Sequence, residues 1–189
     1  MTDERDLDIF CRQVRQRSRE NIEALALLHQ HALTGNALAV LRQELDSMVR
    51  CIFLLSVVDR EYRKRLLADS VNGRPWRTED GKGKVTDRVM VDLSSRLHGW
   101  TRSVYAFGCS FIHLSAFHDY QDRDPLDLLP PPDRQEIAAY LRYYHGVQMD
   151  AASTLRDIAP VLPAVLAKIS ANLECYLKDL LADLELADE

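Results

Sequence analysis

Residues 102–120 read RSVYAFGCSFIHLSAFHDY, and between Arg102 and Asp119 no side chain carries a formal charge. Two histidines, a cysteine and three serines lie among the apolar residues. The run is shorter than the ~17 residues a membrane-spanning helix needs and is dotted with polar side chains, so it reads as an interior helix whose polar groups find partners inside the protein. Its apolar positions continue a seam that begins upstream: Val89, Leu93, Leu97, Trp100, Val104, Phe107, Phe111, Leu114 and His118 step by three or four residues. That spacing predicts one helix from Thr86 or Asp87, either of which can cap it, to His118.

Working outward, the preceding segment carries a second unbroken seam: Leu38, Leu41, Leu45, Met48, Ile52, Leu55, Asp59, Tyr62 and Leu66. It predicts a helix over residues 38–68, and because only Arg50 is charged between Met48 and Val58, this half is enclosed on all sides. A first helix over residues 3–33 is expected from the stripe Leu7, Cys11, Val14, Ser18, Leu25, Leu28 and Ala32, stopped by Thr34-Gly35-Asn36. Between the two central helices, residues 69–85 form a long polar connection with three glycines and an isolated Trp76, expected to be flexible. After Pro125 and Pro130 to Pro132, a short helix runs from an Asp133 cap to His145, with Gly146 behind it. A last helix begins near Asp150 and is kinked or divided at Pro160 and Pro163. No stretch reads as a strand. The expectation is an all-α bundle of about five helices, one domain over residues 1–189, with two central helices.

The chain has 189 residues, 47% hydrophobic and 28% charged, with a formal net charge of −5. An overall acidic balance argues against general attraction to nucleic acid or anionic lipid. The start MTDERDLDIF lacks the basic and apolar pattern of a secretory leader, which predicts a cytoplasmic protein. The four cysteines, Cys11, Cys51, Cys109 and Cys175, are too scattered for a zinc knuckle or a disulfide framework.

Candidate chemistry sits on the two central helices. Arg42, Asp46 and Arg50 descend one face at intervals of four, and an enclosed arginine needs a carboxylate beside it. Across from them, His98, Arg102, Tyr105, Cys109 and His113 form a second stripe. Two readings follow. The line is a structural ion-pair ladder, or Asp46, Arg50, His98, Arg102, Cys109 and His113 surround an anion or nucleotide pocket, with the arginines gripping the ligand and a histidine moving a proton. Cys109 and His113 lack the further ligands a metal requires, so neither metal nor cofactor is expected. Arg12, Arg15, Arg17 and Arg19 form a basic patch and residues 174–189 are mostly acidic; a solvated face, or pairing between the two ends, accounts for both without nucleic acid. Tyr140, Tyr143, Tyr144 and His145 read as packing or subunit-interface aromatics.

The patch SFIHLSAFH at residues 110–118 resembles that of uncharacterised bacterial all-helical proteins, and long helices with polar groups on two central members resemble the HEPN-type helical proteins of bacterial defence and toxin systems. The resemblance implies an all-α fold and a bacterial stress or defence setting. Ribonucleases of that group carry Arg, four to six intervening residues, then His. No histidine here has an arginine at that spacing, so no active-site residue transfers. An E-x-x-H pair of the kind di-iron bundles use is also absent. The expectation for function is a self-associating interaction module, with the enzyme or small-anion receptor as the alternative.

Overall fold

The structure, a computed structural model, describes residues 2–186 and the side chains of residues 5–186. It is all-helical among those residues: α1 (Thr2–Gln30), α2 (Thr34–Ser56), α3 (Arg60–Val71), α4 (Asp87–Leu97), α5 (Thr101–Cys109), α6 (Pro131–His145), the single turn α7 (Leu155–Ile158) and α8 (Leu162–Leu181), with short 3-10 turns between. Seven of these helices have nine residues or more, against the expected five. The two long seams each divide.

Helix α2 lies at the centre, packed against α1, α4, α5 and α8. Leu45, Met48, Val49, Cys51, Ile52 and Leu54 have no exposed surface, as enclosure on all sides requires. The expected continuation through Asp59 fails at Val57, which is extended (φ −81°, ψ 108°). Asp59 is a cap, not a seam residue: its carboxylate accepts from the backbone N–H groups of Glu61 (2.8 Å) and Tyr62 (3.0 Å), starting α3. The buried Arg63 side chain fills the corner and donates to the carbonyls of Leu55 and Val57, which the end of α2 leaves without helical partners.

The connection after α3, expected to be flexible, folds back onto that helix. Trp76 is buried, donates to Ser70 Oγ at 2.9 Å and stacks on Phe53. Tyr62 donates to the Arg77 carbonyl, Arg65 to those of Thr78 and Glu79, and Arg77 pairs with Lys84 across the Gly81 turn.

The quoted stretch is not one helix either. The chain leaves helical geometry at His98 and Gly99, and α5 ends at Cys109. Beyond it, Ser115 Oγ donates to the Ser110 carbonyl and accepts from the Phe117 N–H, so local side-chain bonds replace the helical ladder. Phe107 and Phe111 are buried as expected; Leu114, expected on the inner seam, is 95% exposed.

Helix α6 starts two residues before the expected Asp133 cap, at Pro131, and closes on Gly146 in left-handed geometry (φ 67°). Pro160 falls in the 3-10 turn before α8 and Pro163 in its first turn, the division their missing N–H groups dictate. Residues Leu155–Leu181 are apolar and long enough, by composition, to cross a membrane. Here Val165, Leu166, Ile169, Leu173 and Leu177 are buried, on a helix packed against α1 and α2.

Candidate functional site

The polar centre forms where α5 crosses α2. Gly108 permits the close approach: a Cβ there would stand 2.7 Å from Cβ of Arg42. Asp46 lies among three guanidinium groups, with Arg17 Nη1 and Arg50 Nε each at 3.2 Å and Arg42 Nη1 at 3.7 Å. Asp87, at the start of α4, takes Arg42 and Arg50 from the other side, each at 3.4 Å. Tyr105 donates to Asp87 at 2.9 Å and is itself hydrogen-bonded by the Arg42 guanidinium, which lies over its ring. Arg42 Nε donates to Cys109 Sγ at 3.1 Å.

Burial alone would raise the Asp46 carboxyl; the fields of Arg50, Arg17 and Arg42, with the hydrogen bond from Arg50, overcome it and hold the group below its usual range. Burial pushes the Tyr105 phenol well up, and the Asp87 carboxylate it donates to reinforces this against the opposing Arg42 charge. The guanidinium donors of Arg42 and Arg50 thus turn toward carboxylates, a phenol and a thiol of the same protein. This geometry is that of a closed ion-pair network.

Of the six residues expected to surround a pocket, Asp46, Arg50 and Cys109 belong to this network. The other three face elsewhere. Arg102 is 65% exposed and pairs with Asp92 at 2.7 Å, beside a shallow cavity of about 470 Å³ that also meets Arg96 and Glu136. His98 Nε2 shares a hydrogen bond of 2.6 Å with the Tyr176 hydroxyl on α8 and stacks on Trp100, in a cavity of about 360 Å³. His113 is exposed past the end of α5. The helix break at residues 98–100 sends His98 out of line with Tyr105, and the end of α5 removes His113 from the stripe. No group of three or more His, Cys, Asp or Glu side chains that could hold a metal occurs among the described residues.

Three partners in the network escaped the sequence reading: Arg17, Asp87 and Tyr105 as a phenol donor. The largest omission is Glu44. It has no exposed surface, and its carboxylate accepts from Ser18 Oγ (2.5 Å), Asn21 Nδ2 (2.8 Å) and Ser170 Oγ (2.8 Å). A signal was available, since Glu44 occupies the row Leu41, Glu44, Met48 on the buried face of α2. Above it, Arg15 grips Glu174 with two bonds of 2.9 and 2.8 Å, so at this position the basic patch and the acidic end pair, the second of the two expected arrangements. Comparison with family models, with curated proteins and with solved structures returns no match to this chain.

Proposed function

We propose that this chain is a non-catalytic, self-associating helical-bundle module. The observation that carries the reading is the apolar surface around the α1–α2 turn. Leu33 in that turn is 48% exposed, and the segment after α5 meets it at Gly35, against which Phe111 and the Tyr120 hydroxyl pack. That segment presents Ile112, Leu114 and Tyr120 to solvent. Clustered exposed apolar side chains mark interaction surfaces, whereas scattered single ones need no explanation. The polar centre adds support from the other direction, because its arginines are compensated internally.

The alternative, a receptor for a small anion or nucleotide between the central helices, has less behind it: Arg42 and Arg50 already hold Asp46 and Asp87, while Arg102 and His113 point away. Backbone amide exchange tests the leading reading. At high chain concentration, exchange across residues 110–120 slows relative to dilute protein; unchanged exchange there would remove this surface as the interface.

A further inference from the structure

A cavity of about 400 Å³ lies between α3 and α8, walled by Leu7, Leu67 and Leu180 and rimmed by Arg60, Arg63 and Lys64. The chain leaving α8 crosses this rim. Asp183 Oδ1 pairs with Arg60 Nη1 at 3.1 Å and Arg63 Nη1 at 3.3 Å, and Glu185 pairs with Arg60 Nη2 at 3.2 Å. Arg63 also donates to the Leu184 carbonyl, and the Leu186 N–H to that of Leu55. Leu184 between them is half exposed, so charge and backbone bonds hold residues 183–185, while Leu186 packs partly buried against the core.

Asp183 is a telling choice of residue. The end of α8 is a Schellman motif: the N–H of Asp183 bonds to the Leu180 carbonyl and that of Leu184 to the Asp179 carbonyl. The motif's left-handed position ordinarily belongs to glycine, yet Asp183 occupies it at φ 52°. A side chain held there against backbone preference places a carboxylate between two guanidinium groups.

We propose that the groove rimmed by Arg60, Arg63 and Lys64 is a binding site for an acidic, leucine-bearing peptide segment of a partner, and that Asp183 and Glu185 occupy its cationic rim in cis as a strap. The occupant's acidic character follows from the strap, whose Asp183 and Glu185 carboxylates already pair with the rim. Its leucines follow from the wall of Leu7, Leu67 and Leu180, which the strap leaves uncovered because Leu184 and Leu186 line a separate cavity with Leu55 and Leu97. Alternating carboxylates meet the cationic rim, and the leucines of an incoming segment meet the apolar wall.

The test uses the full chain and a fluorescently labelled peptide DLELADE, the sequence of residues 183–189. Asp183→Asn with Glu185→Gln loosens the strap while keeping a side chain tolerant of left-handed geometry. In fluorescence anisotropy the loosened chain binds the peptide at least about tenfold more tightly than the unmodified chain, and added salt weakens the binding. In the loosened background, Arg60→Gln abolishes the gain, and so does Lys64→Gln, a milder change on a more exposed side chain. Equal affinity for both chains, or binding indifferent to both cation changes in proteins with unaltered circular dichroism, overturns the proposal. Peptide binding by a chain that stays monomeric would remove self-association and leave this site intact; self-association without peptide binding would do the reverse.

Discussion

Ser170 of α8 donates a 2.8 Å hydrogen bond to Glu44 of α2, and Ser18 of α1 donates to the same carboxylate oxygen at 2.5 Å. One buried acid therefore ties three helices together. Glu44→Ala leaves the buried Asn21 amide and two hydroxyls without their acceptor, and lowers unfolding free energy by about 2–4 kcal/mol. Glu44→Gln keeps one acceptor oxygen and loses about half as much. Urea denaturation followed by circular dichroism checks both; a loss under about 0.5 kcal/mol for the alanine variant would mean the donors find other partners.

Asp46 and Arg102 make an opposed pair. Asp46→Asn removes a carboxylate shared by three arginines, of which Arg42 is buried, and costs about 2–4 kcal/mol. Arg102→Ala breaks an exposed pair with Asp92 and costs at most about 0.5 kcal/mol. The same denaturation experiment measures both, and similar losses at the two sites would contradict the closed network.

Gly108→Ala sets two effects against each other. Alanine favours helix over glycine by about 1 kcal/mol, but its Cβ would stand 2.7 Å from Arg42 Cβ, and forcing packed helices apart costs about 1–3 kcal/mol. Arg42 is anchored on several partners and yields little, so the variant is expected to melt at lower temperature. A raised melting temperature would show that α5 has room to move.

Alkaline pH reads the buried thiols. Burial, opposed by Arg15, pushes Cys11 up to about 11, and burial pushes Cys51 well above its ordinary value. The unfolded chain gives up these protons near pH 8.5 while the folded chain keeps them, so the native state binds more protons in that window. Stability is therefore full below about pH 8.5 and falls as pH rises through about 11. Asp46 acts at the other end: its lowered carboxyl contributes stability above about pH 4 that is lost as pH falls through the folded value. Urea midpoints measured across pH check both arms, with Cys11→Ala flattening part of the alkaline decline.

Much of the helix content was legible because apolar spacing is a direct record of burial: Leu38, Leu41, Leu45, Met48, Ile52 and Leu55 all lie in the core. The breaks were not, because helix ends can preserve the period. Asp59 sits at a seam position and Tyr62 and Leu66 follow in step, yet Asp59 caps a new helix. Likewise the chain breaks at His98, Gly99 and Trp100, and upstream of that break burial falls one position off the seam: Val89 is 49% exposed while Met90, Val91 and Ser94 are buried, whereas beyond it Phe107 and Phe111 stay in the core. The intended ring of Asp46, Arg50, Arg102 and His113 depended on that unbroken helix and fell apart with it. The Arg42–Asp46–Arg50 ladder survived because it lies within one turn-by-turn run of α2.

Size-exclusion chromatography with multi-angle light scattering, run over a concentration series on the unmodified chain and on Leu114→Asp, tests self-association most directly. The expected result is a mass that rises with concentration to a multiple of 21.6 kDa for the unmodified chain and stays at the monomer value for the variant. A strict monomer at every concentration, or an oligomer unaffected by Leu114→Asp, would contradict it.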